Sequence, residues 1–383
     1  MFGGFKMISV GILSMQKIDN FGSVLQAYGL KKTLETFGCK VFFMDIEKNE
    51  KENLMLEGDR NDYSFESDIA GLHVSKINKY LVFRIWHRIY EKYQKKINDN
   101  FFETFRKQYL NIDEKQNYYD ICVIGSDEVF NCLNPTEWGF TTQLFGNVRN
   151  CGKVLTYAAS CGATRYDDVP NNVINCIRNS FNKVSAFSVR DYNTELFVSR
   201  ITHKNIFRNV DPVLVYDFRK ELELTNMPKM PKRYCVIYAY HNRIYKKRDI
   251  QSILTFCRKH GMIPVSLCGE QFWCRRHVFC TPFECLKIFE NASFVITDTF
   301  HGTIFSAKYA KKFAVCVRQS NQNKLQDLIN TLEIEAHLIS NWSELDKIYE
   351  LEKDEEHIEN IIINERKKTF DYFEENINGK KSC

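Results

Sequence analysis

The stretch Ile8–Asp45 constrains this chain most, because it reads as strand, helix, strand. Ile8–Leu13 is an apolar run, Ser14–Gly22 a loop, Ser23–Phe37 a helical pattern, and Lys40–Asp45 a second strand. Gly38 stands where the helix must end and a left-handed residue is wanted. Two strands joined through a helix pair in parallel, and parallel sheets carry helices on both faces. The opening therefore predicts an α/β protein.

The alternation breaks between about 48 and 117, a charged, aromatic, helical stretch that reads as an insertion. It resumes with strands at Tyr119–Gly125 and Val154–Ala159, a helix at Asn171–Asn182 and a strand at Ala186–Val189. Val210–Val215 (VDPVLV) closes the first half. The second half repeats the scheme, with strands at Tyr234–Tyr240, Ile263–Leu267, Phe294–Thr297 and Phe313–Val317. Its helices are expected at Asp249–His260, Pro282–Glu290, His301–Ala310 and Lys324–Leu332. Met227–Lys232 holds two of the seven prolines and reads as a linker, and Asn341–Ile377 is a charged helical tail. At 383 residues the chain exceeds what one core serves. The prediction is two Rossmann-like doubly wound domains facing a cleft, 1–225 with a helical insertion and 226–383 with a helical tail.

Composition narrows the function classes. Hydrophobic content of 44% with 26% charged residues is that of an ordinary globular protein. The net charge of +5 suits an anionic ligand or surface and does not call for nucleic acid. No run of about 18 uncharged apolar residues occurs. The N-terminal MFGGFKMISVGIL leads into the first strand without a small-residue cleavage site, so a cytoplasmic location is expected. The 14 cysteines include no CxxC pair, and several fall inside apolar runs, which predicts reduced structural thiols and no metal cage.

In an open α/β sheet, ligands bind beyond the carboxyl ends of the strands, against helix N-termini. Phe294–Lys311 (FVITDTFHGTIFSAKYAK) places His301 and Gly302 at such a position, where an imidazole can meet an anion or move a proton. Asp298 either orients His301 or caps the helix. Arg190 ends a short strand, where it serves as an anion clamp or pairs with Asp191. The loop Asn20–Gly22 offers backbone N–H groups at the first helix, and Gly125–Asp127 makes a tight turn whose carboxylate caps a helix or accepts from sugar hydroxyls. Glu128 and Asp191 are candidate bases, Gln26 faces cleft or core, and Arg275 and Arg276 lie beside Trp273 and His277.

Six short stretches at strand ends form a set: NFGSVLQAYGL (Asn20–Leu30), IGSDEVFN (Ile124–Asn131), YAASCG (Tyr157–Gly162), SVRD (Ser188–Asp191), DPVLV (Asp211–Val215) and TDTFHGTIFSA (Thr297–Ala307). In this order and spacing the chain resembles the polysaccharide pyruvyl transferase family, from about Ile8 to Leu332. Phe130 stands where many members carry Trp, and Cys161 where Phe is common. The resemblance implies a fold similar to GT-B glycosyltransferases. It also implies transfer of pyruvate from phosphoenolpyruvate to a pair of sugar hydroxyls, as a cyclic ketal, with no further cofactor. The family's active histidine, arginine and downstream basic residue correspond to His301, Arg190 and Lys324. The acceptor would be a hexose of a surface polysaccharide or its lipid-linked precursor, lying over Asn20–Gly22 and Gly125–Asp127. The rivals are a GT-B glycosyltransferase using a nucleotide sugar and a non-catalytic glycan-assembly protein.

The insertion has its own pattern. Leu81, Ile85, Ile89 and Tyr93 recur at four-residue spacing among Lys76, Lys79, Arg84, Arg88 and Lys92. Such a helix packs on the first domain or lies on an anionic membrane, which would bring the protein to the inner face.

Overall fold

The computed structural model describes residues 7–49, 52, 96, 97, 99–133, 138–317 and 322–379. Most of the expected insertion, including the basic helix around Leu81–Tyr93, lies outside the described residues.

The first lobe is built on a six-stranded sheet. Its strands are β1 (Ser9–Leu13), β2 (Lys40–Phe43), β3 (Tyr119–Asp127), β4 (Cys151–Ala159), β5 (Val184–Val189) and β6 (Ile206–Arg208). All ladders are parallel, in the order β2-β1-β3-β4-β5-β6. Helix α1 (Phe21–Glu35) crosses from β1 to β2 and is buried on nearly every side. Helix α2 (Asn171–Phe181) and helix α3 (Tyr192–Ser199) flank β5. Within the segment Val210–Val215, Pro212–Val215 is a helical turn with Asp211 as its N-cap and Pro212 in the first position. The sixth strand is Ile206–Arg208, which alternation did not reveal.

The second lobe repeats the plan with β7 (Tyr234–Ala239), β8 (Ile263–Cys268), β9 (Arg276–His277), β10 (Phe294–Thr297), β11 (Phe313–Cys316) and β12 (Leu338–Ile339). Their order is β12-β11-β10-β7-β8-β9, again parallel throughout. Helices α4 (Lys247–Lys259), α5 (Pro282–Glu290), α6 (Phe300–Tyr309) and α7 (Gln322–Leu332) connect them. The strands are buried apolar runs such as Tyr234–Ala239 and Phe294–Thr297, as two-sided burial requires. The chain thus forms two Rossmann-like doubly wound domains facing a cleft, a GT-B-like arrangement.

An aromatic knot joins the lobes. Tyr28 of α1 meets Phe283 of α5 at 5.3 Å, and Phe105 meets the same ring at 5.0 Å. The tail helix α8 (Glu355–Phe373), which sequence groups with the second half, packs on the first lobe. Phe373 lies 4.7 Å from Tyr157, Phe370 lies 5.2 Å from Phe37, and Tyr372 Oη donates to Thr156 O at 2.7 Å. Among the described residues no helix is long and apolar enough to cross a membrane.

Candidate functional site

In each sheet the chain reverses its direction of winding at one place, between β1 and β3 in the first lobe and between β7 and β10 in the second. Strand carboxyl ends part there and leave a crevice. The two crevices face one another. Between them lies a pocket of about 60 Å³ lined by Asn20, Ser23, Asp127, Glu128 and Arg190 from the first lobe. The second lobe adds Tyr238, Tyr240, Cys268, Thr299, Phe300 and His301.

Arg190 follows β5 and is 6% exposed. Its Nη1 donates to Asp211 Oδ2 at 2.9 Å and lies 3.7 Å from Asp127 Oδ1. The guanidinium rests 4.3 Å over the ring of Phe300, a contact that crosses the cleft. Its Nε makes no hydrogen bond within the protein. Burial by itself would lower its pKa, but Asp127, Asp211 and Asp191 outweigh this and raise it. The group is a fixed cation.

His301 reaches the same carboxylate from the other lobe, with Nε2 3.4 Å from Asp211 Oδ2. That distance gives Coulomb attraction, while a well-formed hydrogen bond is shorter, and Nε2 makes none within the protein. Burial alone would raise the Asp211 carboxyl, yet the imidazole of His301 and the guanidinium of Arg190 hold it at about 2. Asp211 also accepts from Val213 N at 3.0 Å through its other oxygen, which fixes its direction.

Glycine makes room for the ring. A Cβ on Gly22 would come within 2.1 Å of His301 Cγ and Nδ1, so the start of α1 can approach the imidazole only without a side chain. Gly302 is similar, since a Cβ there would meet Thr297 Oγ1 at 2.1 Å. Gly125 stays outside the pocket lining. Its φ of +121° and the carbonyl of Tyr157, 2.2 Å from where a Cβ would stand, explain the glycine. It turns β3 so that Asp127, itself at φ +75°, faces the pocket.

The remaining expectations divide. Asn20 lines the pocket and caps α1, accepting from Gly22 N at 2.8 Å. Asp127 lines it too and accepts from Ser23 Oγ at 3.0 Å, which ties β3 to α1 rather than capping a helix. Asp298 is 1% exposed and does not cap α6, because Thr299 does, accepting from Gly302 N at 3.0 Å. Asp298 instead lies 3.9 Å from Arg243 Nε and is not among the lining residues. Arg190 pairs with Asp211, while Asp191 caps α3 and accepts from Ser160 Oγ at 2.6 Å, so Asp191 is held by structure. Glu128 lines the pocket and accepts from Asn131 Nδ2 at 2.8 Å. Gln26 is buried and donates to Ser14 Oγ at 2.7 Å, which settles it in the core. Lys324 falls within α7, and its side chain lies outside what the structure describes. Trp273 and Arg276 are absent from the pocket. Trp273 Nε1 donates to Ile244 O at 2.9 Å, and Arg276 sits in β9 and donates to Lys229 O.

Sequence reasoning missed the role of Asp211, which lies inside a quoted motif, and of Tyr238, Tyr240 and Phe300. The Asp-Pro pair gave one signal, a helix start at the end of the first lobe.

A comparison with curated proteins finds no match. Similar solved structures include the S. aureus MnaA–UDP co-structure, at 10% identity over 99% of each chain with a TM-score of 0.47. A putative UDP-N-acetylglucosamine 2-epimerase from Listeria monocytogenes matches at 10% identity, 98% of each chain and a TM-score of 0.46. Arabidopsis thaliana UGT89C1 complexed with UDP-L-rhamnose matches at 10% identity, 97% of this chain and 96% of that one, with a TM-score of 0.46. The family model for polysaccharide pyruvyl transferase matches residues 20–320, a span that takes in Asn20, Arg190, Asp211 and His301. With most of its length inside that match, the chain belongs to the polysaccharide pyruvyl transferase family.

Proposed function

We propose that this transferase moves pyruvate from phosphoenolpyruvate to a hydroxyl pair of a hexose in a surface polysaccharide or its lipid-linked precursor. The observation that carries the reading is the convergence of Arg190 and His301, from opposite lobes, on one buried carboxylate at the edge of a small pocket. Phosphoenolpyruvate bears a carboxylate and a phosphate on neighbouring atoms, and a guanidinium pairs with either in a planar fork. Arg190 Nε, buried and without a partner, is the donor left over for that purpose. A volume of about 60 Å³ is on the order of five water molecules, which suits a small dianion better than a nucleoside diphosphate.

The reaction needs a proton on the methylene carbon, which makes the neighbouring carbon an oxocarbenium-like electrophile. One sugar hydroxyl attacks it. The carbon–oxygen bond to phosphate then breaks with the electron pair leaving on phosphate, and the second hydroxyl closes the ketal. Of the two hydroxyl protons, one balances the new methyl group and the other leaves on phosphate. In this reading His301 moves these protons, a contribution of roughly 100- to 10,000-fold. Arg190 stabilises the departing phosphate. Asp211 acts through them, holding imidazole and guanidinium at one point.

The test is to incubate the protein with phosphoenolpyruvate and a panel of lipid-linked hexoses and to follow phosphate release and ketal formation. Release with one acceptor is expected, abolished in His301→Ala and Arg190→Ala. Binding of a nucleoside diphosphate with indifference to phosphoenolpyruvate would favour a glycosyltransferase instead.

A further inference from the structure

A second concavity lies along helix α4 of the second lobe. Helix α4 and the segment Trp342–Asp346 flank a groove of about 730 Å³, against about 60 Å³ in the reaction pocket. Its walls include Lys247, Arg248, Phe256, Lys259, Trp342 and Asp346. Asp346 is already engaged, 2.9 Å from Lys259 Nζ and 2.8 Å from His260 Nε2. Lys247 and Arg248 are exposed and have no ion-pair partner among the described residues. The groove therefore carries uncompensated positive charge beside a half-buried indole.

It also has a physical connection to the reaction pocket. Helix α4 follows β7, so its first turn lies at the carboxyl edge of the sheet, the edge that carries Tyr238 and Tyr240. Between Tyr240 and Lys247 the surface is aromatic, with Tyr240, Tyr245 and Phe272 exposed by 48%, 52% and 58%. The two loops bearing these rings are locked together. Asn242 N donates to Glu270 O at 2.8 Å, Phe272 N to Asn242 Oδ1 at 2.9 Å, and Gln271 Nε2 to Tyr240 O at 2.8 Å. These bonds fix the backbone from which Tyr240 and Phe272 are presented to solvent.

We propose that these rings and the α4 groove form one track that binds an anionic glycan chain running away from the reaction pocket. Sugar rings offer C–H faces that stack on indole and phenol rings, and carboxylates on the chain pair with Lys247 and Arg248. A pyruvyl ketal leaves one carboxylate on each unit it modifies, so a growing product acquires the charge the groove complements. That last link rests on the pyruvyl-transfer reading, whereas binding of an acidic glycan by the groove does not.

The experiment measures binding without donor, so it stands whether or not phosphoenolpyruvate is the substrate. The full chain is run in affinity gels containing xanthan, an acidic pyruvylated polysaccharide, or neutral dextran, and is floated with phosphatidylglycerol vesicles. Retardation by xanthan and none by dextran is expected. Lys247→Glu with Arg248→Glu should weaken xanthan binding about tenfold, and Trp342→Ala about threefold. Both variants should keep the wild-type melting temperature within a few degrees. No retardation by xanthan, or equal retardation of wild type and the double variant, overturns the proposal. Vesicle binding as strong as xanthan binding, and lost in the same double variant, also overturns it in favour of a membrane surface.

Discussion

The two carboxyl edges that face each other across the cleft differ in kind. The first lobe presents charge, with Asp127, Glu128, Arg190 and Asp211 tied to one another or to the strand-end loops. The second lobe presents hydroxyls, rings and one imidazole: Thr299, Tyr238, Tyr240, Phe300 and His301. Buried charges keep their geometry through their partners, and Arg190 is held here between Asp211 and Asp127. The division places the fixed charges on one side of the cleft and the imidazole on the other.

Removing the first lobe's cation should break this division most severely. Arg190→Ala leaves Asp211 and Asp127 without their buried partner, and about 3–5 kcal/mol of stability should be lost in urea unfolding. Turnover should fall by roughly 1,000-fold or more. A variant with wild-type stability would show that the first lobe does not depend on the pair.

Gly22→Ala probes the second lobe without touching a charge. The added methyl should displace the His301 ring and cost about 100-fold in kcat with little change in KM for donor. Unchanged turnover would mean that the ring position is not what the first lobe's helix enforces.

Lys308→Met tests the joint between the lobes. Lys308 Nζ donates to Val213 O and Tyr216 O at 2.6 Å and to Leu214 O at 3.2 Å, and burial lowers its pKa to about 7. Leaving three carbonyls without their donor should cost about 1–3 kcal/mol by thermal or urea unfolding.

Acid provides the gentlest probe. The Asp211 carboxyl is held at about 2, below its ordinary 3.8, so it adds stability that is complete above about pH 4. That contribution is lost as the pH falls toward 2. Asp211→Asn keeps the N-cap and should flatten the loss across this window by about 2 kcal/mol in acid denaturation.

Strands buried on both faces were legible because parallel pairing writes them as unbroken apolar runs, and Phe294–Thr297 is one example. Ile206–Arg208 was not, since three half-exposed residues ending in arginine carry no period to read. VDPVLV is apolar enough for a strand and too short to tell from a helix, and only Asp before Pro points to a helical turn. His301 and Arg190 could be found from their strand-end positions. Asp211, which brings them together, could not, because pairwise contacts between distant strand ends leave no local pattern. On the 271–273 loop, Phe272 and Trp273 point to opposite environments, and nothing in their adjacency says which ring stays in solvent. Likewise, the apolar stripe of α8 signals a partner without naming the first lobe as that partner.

Helix α6 begins with His301 against Asp211 and ends near Lys308, whose ammonium holds the carbonyls of the turn that Asp211 starts. One helix of the second lobe thus grips one turn of the first at both ends. Any swing that parted the lobes here would strip the buried Lys308 of its three carbonyl partners. The rim away from this grip is then the side on which the cleft can widen without breaking those bonds.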